Sequence, residues 1–274
     1  MLAMKDKLKF FLNFAPINFT WLLAKKTYKL FHKGITASRA LIYFIIWNFT
    51  EKKHLYQEID NCFVKDIKPY TFLRWKHKIC YFTGLADSKK VFIKSGGIMN
   101  NIKRETVAMC YAHKNSAILH THLPELIATG DTIIVQEMIK GKSLTSFDNA
   151  PDAIQASLIQ QLFEIYSELK RTGILHLDIR PQNFIVSDGN KLFIIDFGYA
   201  LVNTDNLFDM LERNAQTKTV LKNLGSDYAP KNGTLDDAYS MLLTMKYVCP
   251  GLIHEYPKIW KQLNEDIGTR IITL

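Results

Sequence analysis

Cysteine is scarce in this chain, and Gly/Ser/Pro-rich linkers are missing. Cys62, Cys80, Cys110 and Cys249 are spread over 274 residues with no C-x-x-C pair. That spacing suggests neither a zinc site nor a disulfide framework, and a reducing, cytosolic setting is the simpler expectation. Long hydrophobic runs are also absent. The most apolar stretch, Ala40 to Phe49, covers about ten residues, whereas a bilayer-crossing helix needs ~20, so no transmembrane span is expected. Lys5, Lys7 and Lys9 ahead of apolar residues faintly imitate a signal peptide. Asn13, Pro16 and Asn18 interrupt its core and no A-x-A site follows, so secretion is not expected. No internal repeat or low-complexity tract divides the chain.

What is present is enough for a full core: 47% of residues are hydrophobic and 12% aromatic. The net charge of +9 and a pI near 9.2 favour anionic partners. No nucleic-acid recognition motif accompanies that charge, so no nucleic-acid partner is expected. Residues 1 to 60 hold ten Lys/Arg against four Asp/Glu, and 12 of the 33 aromatic residues. They form a basic, aromatic preface.

Beyond the preface, residues 62 to 94 are strand-like, with the runs Lys78 to Thr83 and Val91 to Lys94 divided by Gly84-Leu85-Ala86-Asp87-Ser88; a hairpin is expected there. Asn101 to His113 reads as a helix and Thr132 to Ile139 as a buried strand closed by Gly141. Pro151 to Lys170 carries Ile154, Leu158, Leu162, Ile165 and Leu169 at helical spacing, with Gly173 as its stop. Apolar residues from Leu207 to Leu224 read as helix, as does Leu235 to Tyr247. His120 and His122 alternate as on a strand face, without the neighbours a metal site needs. Strands first and helices later indicate an α+β molecule with a sheet-containing small lobe against a helical large lobe.

The chemistry concentrates in His176-Leu177-Asp178-Ile179-Arg180-Pro181-Gln182-Asn183-Phe184-Ile185-Val186 and Leu192-Phe193-Ile194-Ile195-Asp196-Phe197-Gly198. Phe184 to Val186 and Leu192 to Ile195 are short apolar strands, and Gly189-Asn190 suits a two-residue hairpin turn. That turn pairs Asn183 with Asp196, with Cα atoms roughly 5 Å apart. An amide and a carboxylate side by side, with Asp178 nearby, make a hard-oxygen site suited to Mg2+ bridging nucleotide phosphates. Asp178 would orient or deprotonate an acceptor hydroxyl. Arg180 would steady the transferring phosphate through its planar fork, or act as a structural ion-pair partner.

His176, Asp178, Asn183 and the Asp196-Phe197-Gly198 triplet together resemble the H-x-D-x-x-x-x-N and D-F-G signature of the protein-kinase-like superfamily. The likeness runs over roughly residues 63 to 248. It implies a two-lobed fold: a helical segment over 1-61, an N-lobe over 62-140 and a trimmed helical C-lobe over 141-274. It implies ATP and Mg2+ as cofactors, with Asn183 and Asp196 as metal ligands and Asp178 as the catalytic carboxylate. Val91-Phe92-Ile93-Lys94 resembles the strand whose lysine holds the nucleotide phosphates, with Glu105 as its ion-pair partner. Glu137-Met138-Ile139 resembles the hinge whose backbone binds adenine, at Glu137 and Ile139. Asp237-Ala238-Tyr239-Ser240 resembles the helix whose aspartate braces the catalytic loop.

The sequence departs from the protein-kinase pattern in several places. No G-x-G-x-x-G precedes Lys94, so the turn near Arg74-Trp75-Lys76-His77 must serve instead. Leu177 stands where many regulated kinases carry an arginine for a phosphorylated loop. No A-P-E follows Gly198. The run Asn183-Phe184-Ile185-Val186-Ser187 before Ile194-Ile195-Asp196 resembles bacterial lipopolysaccharide core kinases, above all the heptose kinase type. That likeness implies phosphorylation of a sugar hydroxyl on an anionic glycan or glycolipid, in the cytoplasm at the inner face of the inner membrane. Lys25, Lys26, Lys29 and Lys33 near Trp21, Tyr28 and Phe31 suit peripheral contact with anionic headgroups; the alternative is that the preface packs on the lobes. An atypical Ser/Thr protein kinase and a pseudokinase binding module are the other readings.

Overall fold

The computed structural model describes residues 63–70, 79–96, 101–130, 132–202, 224, 226–231 and 233–273, with scattered positions between 34 and 59. The lysine run of the preface, the Arg74-to-His77 turn and nearly all of the helix expected over 207 to 224 lie outside these residues. No helix among the described residues is long and apolar enough to cross a membrane.

The first lobe is a five-stranded antiparallel sheet in the order β1-β2-β3-β5-β4, formed by β1 (Val64–Pro69), β2 (Ile79–Ala86), β3 (Lys89–Gly96), β4 (Leu126–Thr129) and β5 (Ile133–Glu137). Alternation sorts the side chains. On one face Cys80, Phe82, Val91, Ile93, Ile133 and Val135 form a buried cluster. Leu55 and Ile59 complete it, with Phe44 packed against its edge. Leu55, Ile59 and Phe44 of the preface therefore pack against this face of the sheet, while Leu41, Ile42 and Ile45 are exposed. The opposite face carries Tyr81, Phe92, Lys94, Ile134 and Gln136, which are paired across the strands as Tyr81 with Lys94, Phe92 with Gln136 and Lys94 with Ile134.

The hairpin between β2 and β3 is tighter than the expectation drawn from sequence. Gly84 lies inside β2, and the turn is only Asp87-Ser88, both with positive φ (46° and 68°). That conformation matches the right-handed twist of the flanking strands. Gly84 is required by packing: a Cβ there would lie 2.6 Å from Val64 Cγ1 and 3.0 Å from the Lys65 carbonyl.

Helix α1 (Asn101–Asn115) crosses behind the sheet. With Glu105 between them, Ile102, Ala108, Met109 and Ala112 fall on one face of the helix, and these four join the core of the second lobe. A short α2 (Ala117–His122) follows, capped by Ser116, whose Oγ accepts from Leu119 N. His120 and His122 thus sit on a helix and not on a strand face. His122 points inward, its Nδ1 2.7 Å from the Leu192 carbonyl.

The second lobe is built on α3 (Asp152–Thr172), which buries Leu158, Leu162, Ile165 and Leu169. Gly173 ends it in the left-handed conformation, donating to the Leu169 and Lys170 carbonyls. Strand β6 (Gly141–Ser143) pairs with β8 (Phe184–Ser187), and β8 with β9 (Leu192–Ile194); β7 (Ile174–Leu175) pairs with β10 (Leu201–Val202). After β11 (Thr234–Leu235), α4 (Asp237–Val248) starts two residues later than expected, because Asp236 is its cap and accepts from Tyr239 N. Helices α5 (Leu252–Glu255) and α6 (Pro257–Asp266) and strand β12 (Ile272–Thr273) close the lobe. A sheet-based N-lobe against a helical C-lobe is the protein-kinase-like fold.

Gly84→Ala is expected to lower stability by about 1–3 kcal/mol, since the Lys65 backbone cannot step aside as a side chain can. A fall in the denaturant midpoint at unchanged m value would show it, and an unchanged midpoint would refute the packing account.

Candidate active site

The site forms where the inner face of the sheet, the start of α1 and the β8–β9 hairpin meet. Lys94 on β3 is buried, with 6% of its surface exposed. Its Nζ lies 2.7 and 2.9 Å from the two carboxylate oxygens of Glu105 on α1, and 3.1 Å from Asp196 Oδ1. Burial works against the ammonium, but Asp196 and Glu105 outweigh it and hold the Lys94 pKa above its usual value. Glu105, 1% exposed, has its carboxyl pushed up by burial, against the pull of the Lys94 charge and a hydrogen bond from the Phe197 backbone. Asp196 is held below its ordinary range chiefly by Lys94. The expected Lys94–Glu105 pair is present, and Asp196 joins it.

The β8–β9 hairpin differs from expectation by one residue. Phe184 pairs with Ile194 and Val186 with Leu192. The loop therefore has three residues, Asp188, Gly189 and Asn190, with Asn190 taking the positive φ of 59°. Asn183 accordingly faces Ile195, whose amide donates to the Asn183 carbonyl at 2.9 Å, and Asp196 comes one position later. An ordinary extended residue there would point its side chain to the other face. Asp196 instead adopts φ 69° and ψ 58°, a left-handed turn that ends the strand. Its carboxylate reaches Lys94.

Asp178 and Asn183 are tied together. Asn183 Nδ2 donates to the Asp178 carbonyl at 2.7 Å and to Asp178 Oδ2 at 2.8 Å. This turns the Asn183 amide nitrogen toward the loop and leaves its Oδ1 as an acceptor. Asp196 likewise keeps Oδ2 beyond the oxygen bonded to Lys94, and its side chain is 45% exposed. Two hard oxygens in a partly open site fit Mg2+, which takes few protein ligands and keeps several waters. Arg180 Nη1 lies 4.0 Å from Asp178 Oδ1. Its Nε is buried without a partner among the described residues.

The catalytic loop is braced from below. Asp237, at the start of α4, accepts from His176 N at 2.6 Å and Leu177 N at 2.9 Å. Leu177 is held at φ 64°, a strained conformation for a leucine, with its side chain buried among Leu175, Leu201 and Leu235. His176 is fully buried. Its Nε2 is 3.1 Å from the Ile195 carbonyl and its Nδ1 faces the Asp178 amide, so the neutral tautomer with a proton on Nε2 satisfies both. Burial pushes its pKa down to about 4. His176 is a structural tie between the catalytic loop and the residue that follows β9.

At the connector between the lobes, Glu137 N donates to the Glu125 carbonyl and Met138 N to the Lys90 carbonyl. Among the described residues the Ile139 amide has no carbonyl partner. Two neighbours of the site escaped the sequence reading. Tyr81 lies across the ladder from Lys94, and burial raises its hydroxyl to about 12. Tyr199 follows Gly198 and hydrogen-bonds Asn101 of α1, its pKa raised by burial and by the charges of Asp196 and Asp178. A hairpin centred on Asp87-Ser88 would have revealed Tyr81.

Comparison with known proteins agrees with this geometry. Residues 99–219 match the ABC1 atypical kinase-like domain. The chain is 33% identical over 135 residues to the "Probable serine/threonine-protein kinase YbdM" of Bacillus subtilis (strain 168), covering 43% of this chain and 52% of that protein. It is 27% identical over 148 residues to CBL-interacting protein kinase 15 of Oryza sativa subsp. japonica, covering 49% of this chain and 33% of that protein. It is 26% identical over 132 residues to serine/threonine-protein kinase cds1 of Schizosaccharomyces pombe, covering 46% of this chain and 26% of that protein. The matches thus span between a quarter and about half of these relatives. The fold, the site geometry and these similarities agree on a protein-kinase-like fold.

The buried histidine generates a pH prediction. Its folded pKa near 4 lies below the ordinary 6.5, so the unfolded chain takes up the proton first. The stability it contributes is present above pH 6.5 and is lost as pH falls toward 4, a loss on the order of 3 kcal/mol. Asp237 acts in the opposite sense, because its pKa is raised to about 6, mainly by burial. The stability tied to its protonated form is present below pH 3.8 and is lost as pH rises through 6. His176→Gln is therefore expected to lose less stability than the parent between pH 7 and 4.5, whatever its starting value. Parallel unfolding curves across that range would contradict the assignment.

Proposed function

We propose that this protein is an ATP- and Mg2+-dependent phosphotransferase that phosphorylates an alcohol group, with a sugar hydroxyl of lipopolysaccharide core or a related cell-surface glycan as acceptor. The observation that carries the phosphotransferase reading is the shared ammonium of Lys94. It binds Glu105 and Asp196 together, one residue beyond the Ile195–Asn183 hydrogen bond, so that lysine, carboxylate and amide oxygen converge on one opening. Phosphoryl transfer depends on positioning and on neutralising charge, which such a set supplies.

In this reading Asn183 Oδ1 and the free oxygen of Asp196 hold the metal, which would neutralise the phosphate oxygens and keep them in line. Lys94 reaches the same phosphates. Asp178, fixed by the Asn183 amide, accepts the proton of the acceptor hydroxyl. Arg180 beside it, with an unsatisfied Nε, stabilises charge on the group in transit. Glu137 and Ile139 receive the base at the connector.

The glycan acceptor is supported by Leu177, whose burial leaves no cation there for a phosphorylated loop, by the missing A-P-E, and by the local likeness to heptose kinases. A cytoplasmic position, peripheral at the inner membrane, suits such an acceptor and the basic preface. A second reading, a Ser/Thr protein kinase, is favoured by the names of the relatives matched over about half the chain.

Labelled phosphate from ATP is expected on dephosphorylated core oligosaccharide, with Asp178→Ala lowering the rate by about 10²–10⁴-fold. Transfer to protein substrates alone would establish the second reading. Thermal stabilisation by MgATP is expected to disappear in Asp196→Asn. Its persistence would remove Asp196 from the metal site.

A further inference from the structure

We propose that His113 and His120 form a binding site for a divalent transition-metal ion, Cu2+ or Ni2+, held by their two Nδ1 atoms at the corner between α1 and α2. The site lies outside the Lys94–Asp196 cleft and does not rest on the phosphotransferase reading.

His113 is the neighbour of His120 that spacing along the sequence hides, because it comes from the last turn of α1 while His120 comes from α2. Their Nδ1 atoms are 2.8 Å apart, with ring centroids at 4.8 Å and planes inclined at 76°. His113 Nε2 lies 3.1 Å from the Pro124 carbonyl and donates its proton there. That bond fixes the tautomer. The His113 Nδ1 then carries a lone pair facing His120, the arrangement in which metal-ligating histidines are usually held. Burial lowers the His113 pKa, which keeps the ring neutral and able to ligate at pH 7. Glu125, paired with Lys89 at 3.2 Å, adds a carboxylate whose field favours positive charge at His113.

The bite of the pair is set by the scaffold. Ser116 N donates to the Ala112 carbonyl at 3.0 Å, Ser116 Oγ to Glu168 Oε2 at 2.5 Å, and Arg171 Nη2 to the Asn115 carbonyl at 3.1 Å, so the corner is tied to α3. With metal–nitrogen bonds of about 2.0–2.1 Å, the 2.8 Å separation subtends an angle of about 85–90° at the ion. Tetragonal Cu2+ or Ni2+ takes its ligands at such right angles, whereas a tetrahedral ion with the same bonds needs its nitrogens about 3.3 Å apart. Among the described residues no third His, Cys, Asp or Glu completes the set, so water fills the remaining positions.

Without metal, His120 Nδ1–H donates to His113 Nδ1. Binding requires His120 to carry that proton on Nε2 instead, by exchange with solvent around an exposed ring. The ring also turns about its soft χ2, so that both lone pairs meet at a point beside the line joining the nitrogens. Two neutral rings lose no proton overall; in acid, each protonated ring must release one.

Titration calorimetry and electron paramagnetic resonance on the full chain, free of nucleotide, with copper(II) and nickel(II) chloride test the proposal. Binding of one equivalent is expected, with two nitrogen donors in the copper spectrum. His120→Ala, at an exposed position, is expected to weaken binding by about 100-fold or more, the upper end of what loss of a merely orienting partner costs. At most one nitrogen donor then remains. His113→Ala is expected to do the same, and His254→Ala, an exposed histidine elsewhere, to change nothing. A parent chain that binds neither ion would mean that the two rings share a hydrogen bond only. That result, or an unchanged affinity and spectrum in His120→Ala, overturns the proposal.

Discussion

Lys94 enters the cleft from a strand whose surroundings exclude water, and an ammonium in such a place persists only where opposite charge compensates the lost hydration. Two carboxylates do so here, one from α1 and one from the turn after β9. Each belongs to a different element, so the charge balance also fixes geometry. If α1 shifts away, Glu105 leaves; if the turn at Asp196 unwinds, the second acid leaves. In either case the lysine is left with a single carboxylate and loses part of the hydrogen bonding that compensates its burial. The Phe197 amide, donating to Glu105, ties α1 to that turn a second time.

Positions that depend on chemistry were readable in the sequence; positions that depend on a turn's exact count were not. The resemblance of the motifs around Lys94, Asp178, Asn183, Asp196 and Asp237 to the protein-kinase-like pattern anticipated the Lys94–Glu105 ion pair and the brace under the catalytic loop. The two hairpins were misjudged for the same physical reason. Glycine was taken as the mark of the turn, whereas Gly84 serves a close approach within a strand, and Asn190 rather than Gly189 takes the left-handed position. A turn read one residue wrong displaces every pairing beyond it. Asp196 still follows directly on the residue that faces Asn183, and it leaves the strand in a left-handed turn that no periodicity announces.

Two residues with left-handed backbone lie at the site itself. Leu177 and Asp196 both take left-handed conformations, at an expected cost of order 1–3 kcal/mol each. Compensation is local in both cases. Leu177 gains its apolar pocket and the Asp237 carboxylate, and Asp196 gains the ammonium. The same two residues bracket Asp178 and Asn183. The catalytic loop is thus held by its ends, and its polar side chains need little further support to keep their direction.

The outer face of the small-lobe sheet has a different consequence. With Leu55 and Ile59 seated on Cys80, Phe82, Val91 and Val135, this surface is already occupied by the protein's own preceding chain. A foreign regulator seeking that face would first have to peel an intramolecular cover away, in competition with a tethered ligand at high effective concentration. Access to that face therefore depends on releasing Leu55 and Ile59 from it.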